Sequence, residues 1–217
     1  MGLSALIASC AHETYQPAPA RVEAPLGPLS FDDCELGDGS SVPADFPKGS
    51  LGPAAADHGL ACGLSSQLAA LGEPSLFPLP RTTEVVRVLW LRSGAHPVSV
   101  RFEGQGTTGQ LRSAQTSGKG LAPPGDLLEE SSTTASAEQV RDLMDRIEAA
   151  RLWTAAAPPT ALPSVDSGSL WLFEGARSGE YRLRVFSRDT LAKDPAFNKL
   201  ARTLLGMSGL HIQGEVY

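Results

Sequence analysis

Four histidines, His12, His58, His96 and His211, are the residues in this chain best suited to metal or acid–base chemistry. None has a second ligand-type residue three or four positions away on a readable helix or paired strand, so no metal centre is expected. No Gly-x-Ser-x-Gly elbow and no Ser-x-x-Lys pair stands in a usable setting, which removes the familiar serine nucleophiles. Gly104-Gln-Gly-Thr-Thr-Gly109 has the glycine density of a phosphate loop. It joins two strands rather than a strand and a helix, so a β-turn and no cofactor are expected. One constellation remains for hydrolysis: Glu103 and Glu174 on strands, with His96 before Pro97 in a turn. Two carboxylates do such work only when they face each other across a cleft. Solvent exposure or pairing with nearby arginines is the simpler expectation for both, and no catalytic residue is assigned.

The more suggestive residues are cationic. If Val98, Val100 and Phe102 point inward, Arg101 points outward, and the same alternation on Tyr181–Ser187 turns Arg182 and Arg184 outward. Arg112 on a third strand joins them. Arginines gathered on one exposed sheet face, with His96 at its edge, would grip carboxylates or phosphates through bidentate hydrogen bonds. A solvated antiparallel face needs polar residues too, and that simpler reading competes.

Three cysteines are present. Ile7-Ala8-Ser9-Cys10 has the form of a lipobox, where small residues admit a signal peptidase and the cysteine thiol receives lipid. Residues 1–9 then read as a signal-peptide remnant, lacking the basic leader of a full signal. Acylation at Cys10 leaves Cys34 and Cys62, an even pair expected to oxidise outside the cytoplasm. A net charge of -6 argues against general affinity for nucleic acid.

These residues need a scaffold. Residues 10–30 are polar and Pro-rich and read as a tether. Residues 31–63 are expected to be irregular and stapled by the cysteine pair, with 64–217 forming one domain. Leu60, Leu64, Leu68 and Leu71 predict a short helix over 60–71, stopped by Gly72 and Pro74. Glu84–Arg92 is apolar on both faces and predicts a central strand covered on two sides. Further strands are predicted at 98–103, near 109–116, and as a hairpin from 169–174 and 181–187. Ser136 with Gln139 predicts a capping box opening a helix over 137–153. Asp194 and Pro195 open the last helix. The fold class is α+β: a mostly antiparallel sheet of about five strands packed with two or three helices.

The stretch Val86-Arg-Val-Leu-Trp-Leu-Arg-Ser-Gly-Ala-His-Pro-Val-Ser-Val-Arg-Phe-Glu103 resembles a family of uncharacterised bacterial exported, lipoprotein-like proteins. Leu71-Gly-Glu-Pro-Ser-Leu76, Ser117-Gly-Lys-Gly, Pro124-Gly125, Trp171, Glu174-Gly175, Tyr181 and Tyr217 follow in the same order. The likeness spans roughly 64 to 217 and implies the fold and an exported setting, without an activity. The chain departs from it at Ala95, beside His96, at Gly120-Leu-Ala122 and at Ser167.

The expectation is therefore a lipid-anchored periplasmic protein of the bacterial envelope, held to the membrane through Cys10. It would bind a protein partner, as an accessory or toxin-inhibiting immunity protein does. A purely structural envelope lipoprotein ranks second, and a cell-wall or peptide hydrolase at His96, Glu103 and Glu174 third.

Overall fold

The structure is a computed structural model that describes residues 33–35, 41–43, 45–47, 50–51, 54–76, 82–120, 122–154 and 168–213. Cys10, the remnant 1–9 and the tether 10–30 lie outside the described residues, as do Ser167 and Tyr217. The elements run β1 (Asp33–Glu35), β2 (Ser41–Pro43), α1 (Ala54–Ala70), β3 (Glu84–Arg92), β4 (Ala95–Gln105), β5 (Thr108–Thr116) and β6 (Leu127–Ala135). They continue with α2 (Ala137–Ala149), β7 (Ser169–Arg177), β8 (Glu180–Ser187), α3 (Arg188–Ala192) and α4 (Pro195–Met207). The class is α+β, as expected.

The main sheet has six strands in the order β6-β5-β4-β3-β7-β8, every neighbouring pair antiparallel. The sixth strand is β6, Leu-Leu-Glu-Glu-Ser-Ser-Thr-Thr-Ala. It is an edge strand, exposed along nearly its whole length, so no alternation of apolar and polar residues marks it. Residues 31–63 are also more ordered than expected. β1 and β2 pair as a small hairpin, and α1 begins at Ala54 rather than Leu60.

Two cores flank the sheet. On one side Val86, Val88, Trp90, Val98, Val100, Phe102 and Phe173 lie under α2, α3 and α4, which contribute Leu143, Ile147, Leu191, Phe197 and Leu204. On the other, Leu89, Leu91, Ala114, Leu170 and Leu172 lie under Leu64 and Leu68 of α1 and Leu71 just after it. Trp90 and Trp171 are cross-strand partners and stack with centroids 4.4 Å apart, pinning β3 to β7. The end caps follow the sequence signals. Ser136 and Gln139 bond reciprocally, and the Asp194 side chain accepts from the Phe197 N–H. Helix α2 stops at Ala149, short of the expected 153, because Arg151 turns to φ 52°. Trp153 is then seated beyond the helix, against Gly175, where a Cβ would lie 2.7 Å from its ring.

Candidate functional site, a row of arginines

The site begins at the end of α1. Gly72 takes φ +66°, its N–H bonds the Ala69 carbonyl, and the Glu73 N–H bonds back to Leu68. This is a Schellman turn, and it needs glycine because other residues are strained there. Its consequence is directional: the chain reverses and Glu73 is delivered, 6% exposed, onto the sheet.

Below it the strand register sets a transverse row of side chains. Ser132, Arg112, Arg101, Arg87 and Glu174 are successive partners on β6, β5, β4, β3 and β7. Three arginines thus stand directly opposite one another on adjacent strands, an arrangement that repels unless countercharges intervene. Glu174 takes Arg87 through Nε at 2.8 Å and Nη2 at 2.6 Å, and also accepts the Tyr181 hydroxyl at 2.8 Å. Glu73 serves the others. Its Oε2 lies 2.9 Å from Arg101 Nε and 3.7 Å from Arg87, and its Oε1 3.1 Å from Arg112 Nη1. Ser99 adds a hydroxyl to Oε1, and the Pro74 carbonyl accepts from Arg87.

Electrostatics follow from this packing. Burial alone would lower Arg87, but Glu174 and then Glu73 outweigh it and hold the guanidinium above its ordinary value. Burial lowers Arg101, with Glu73 opposing. Tyr181 is pushed well up by desolvation and by the Glu174 charge, so it stays a neutral donor. Asp45, in the loop before α1, is pushed up to about 6 by desolvation, with Arg87 opposing.

Toward β6 the row comes to the surface. Arg101, Glu103, Gln110, Leu111, Arg112 and Ser132 line a half-open cleft of about 240 Å³. Glu103 meets Arg101 and Glu130 meets Arg112 there, and both carboxylates are more than two-fifths exposed. Exposed pairs of this kind contribute little, about 0–1 kcal/mol. The floor carries two guanidiniums braced by a buried carboxylate, while the rim carboxylates are part-exposed, an arrangement suited to binding a polar group.

The expected single arginine face is not formed. Arg101 and Arg112 lie on the α1 side of the sheet. Arg182 and Arg184, two strands beyond the buried Arg87, lie on the opposite side, where they donate to the carbonyls of Trp153 and Thr154. The reason is coverage: helices pack on both sheet faces, so "outward" on β4 and on β8 means different sides. His96 is further away still, its Nδ1 3.3 Å from the Gly118 carbonyl. It precedes Glu103 by seven positions on the same strand, about 23 Å of extended chain. Glu174 is locked to Arg87 and Tyr181, with β3 between it and Glu103. The hydrolytic trio is therefore not brought together.

Cys34 and Cys62 form a disulfide with Cα atoms 5.2 Å apart, tying the β1–β2 hairpin to α1. Among the described residues no cluster of three or more metal-ligating side chains occurs, and no helix is long and apolar enough to cross a membrane. No family model and no curated protein matches the chain. Sequence reasoning missed Arg87, Glu73 and Asp45. One signal was present: a lone arginine in the otherwise apolar Val85–Leu91 run must find a buried partner. Glu73, Arg87, Arg101, Glu174 and Tyr181 meet here in one cluster.

Proposed function

We propose that the protein is a lipid-anchored accessory protein of the bacterial envelope that binds a protein partner, in the manner of an inhibitor or immunity protein. The observation that carries the binding role is the cleft at Arg101 and Arg112, a charged floor braced from beneath by buried Glu73. Arg101 and Arg112 share that one carboxylate, and each also pairs with a part-exposed carboxylate at the rim, Glu103 and Glu130 respectively. A partner's acidic side chain can exchange with either rim carboxylate at small cost. The disulfide supports an oxidising compartment, because such bonds are rare in the cytosol. Lipid at Cys10 rests on the lipobox pattern alone.

The test is capture from envelope extract, compared between variants. Gln110→Trp fills the cleft from an exposed position and should abolish recovery of a partner that the unaltered protein retains. Arg182→Glu with Arg184→Glu, on the other side, should leave recovery intact. Equal recovery with the filled cleft removes it as the contact. An intact mass from membranes reads the rest: acyl chains on Cys10 and two hydrogens fewer for the bridge.

A further inference from the structure

The two edges of the sheet are treated differently. At the β8 edge, Ser178 and Gly179 both have positive φ, the signature of a tight two-residue turn, so Arg177 and Glu180 are a hydrogen-bonded pair. Alternation from there turns the backbone groups of Tyr181 and Leu183 away from the sheet. The Tyr181 carbonyl accepts from Arg182 Nη1 and the Leu183 carbonyl from Arg184 Nη1, both at 3.0 Å. This edge is capped by its own arginines.

The β6 edge has no such cap. The turn at Gly106 makes Gln105 and Thr108 a hydrogen-bonded pair, and alternation across β5 points Glu130, Ser132 and Thr134 outward from β6. No hydrogen bond among the described residues reaches the outward backbone groups of these three. The strand is nine residues long and contains neither proline nor lysine. The usual devices against edge pairing are reduced to an acidic pair and a bulge near Leu128. Leu127 and Leu128, 47% and 53% exposed, are the large apolar side chains left in solvent among the described residues.

We propose that β6 pairs with β6 of a second copy, antiparallel about a two-fold axis at Ser131, joining two sheets into one. The sequence is self-complementary in that register. Its first half, Leu-Leu-Glu-Glu, falls against the second half of the copy, Ser-Thr-Thr-Ala, so Glu130 faces Ser132 and Glu129 faces Thr133. No like charges stand opposite each other. Glu130 and Ser132 are both outward residues, so each pair across the axis exchanges two main-chain hydrogen bonds. The Glu130 of each copy also arrives beside the Ser132 whose in-sheet partner is Arg112, adding a carboxylate to the end of the arginine row. The contact is isologous and closes on itself.

Sedimentation velocity of the full chain at micromolar concentration should show a dimer. The register sets the sign of two exposed substitutions. Ser132→Lys places an ammonium opposite Glu130 of the copy and should tighten the dimer several-fold. Ser132→Glu places two carboxylates opposite each other and should weaken it about ten-fold or more. Within one copy Arg112 makes the opposite demand, so Ser132→Glu should not unfold the protein. In a Cys10→Ser background, Ser131→Cys should cross-link across the axis on mild oxidation, and Thr133→Cys, whose own copy is displaced by four residues, should not. A monomer at every concentration overturns the proposal, as would equal effects of the two Ser132 substitutions or cross-linking at Thr133→Cys.

Discussion

Glu73 and Arg101 meet at 2.9 Å directly beneath the left-handed turn that ends α1, and the same carboxylate reaches Arg112 and Arg87. A helix stop thus supplies the counterion for three strands.

Glu73→Gln should consequently cost far more than removal of a rim carboxylate. Leaving Arg87 and Arg101 short of a buried counterion carries a penalty of about 3–5 kcal/mol. Glu103→Gln, at a half-exposed position, should cost less than about 1 kcal/mol. Urea midpoints of the two variants settle the comparison. Equal, small losses would mean that the rim and solvent already neutralise the row.

Asp45 gives a pH dependence of unusual sign. Its folded pKa is about 6 against an ordinary 3.8, so the folded state binds the extra proton in that window. Stability tied to this group therefore rises as pH falls from about 6 toward 4, and the cost is fully present above about 6. Asp45→Asn should stabilise the protein near neutrality by roughly 2–3 kcal/mol, with the advantage gone near pH 4. A difference that stays constant across the range would remove Asp45 as the cause.

The disulfide closes a loop with a sequence separation of 28 residues. Replacing Cys34 and Cys62 by Ser should lower stability by about 3–4 kcal/mol in the chain-entropy picture. The loss should be local at first. Hydrogen exchange is expected to quicken in β1, β2 and α1 before the β3–β7 centre, and uniform acceleration would contradict that order.

Two glycine substitutions separate packing from propensity. Gly175→Ala drives a Cβ within 2.7 Å of the Trp153 ring and 3.0 Å of Leu152. Overpacking of this kind costs about 1–3 kcal/mol. Gly59→Ala, inside α1 with nothing within 4 Å of the new carbon, should instead add about 0.5–1 kcal/mol. Thermal midpoints moving in the same direction would mean that Trp153 yields easily.

The legible part of this fold was the part where burial imposes a period. Val98, Val100 and Phe102 alternate because one side of β4 meets α2 and α4, and the capping residues Ser136 and Asp194 stand where they must. Strand β6 was illegible because an edge strand exposed along nearly its whole length obeys no period. The arginine row was half legible. Arg101 and Arg112 stood out as polar members of alternating strands, but the sequence carries no mark of which helix covers which face. Arg87 was hidden inside an apolar run, and its partners lie 14 residues upstream and 87 downstream. Such long-range pairing is set by register, which only the assembled sheet reveals. Gly104 and Gly109 read as loop formers; they are in fact paired strand residues that leave room for the Phe102 ring, which a Cβ would meet at 2.7 and 2.3 Å.

The ion row also bears on how the strands find their alignment. If β4 slid past β3 by two residues, every side chain would keep its side of the sheet, and hydrophobic patterning would register no fault. Arg87 would then face Ser99 or Glu103 in place of Arg101, and Arg101 would be carried away from Glu73. A charge would be left in the interior without its counterion, at a penalty of several kcal/mol. The ion row thereby discriminates strongly between the correct alignment and its nearest competitors.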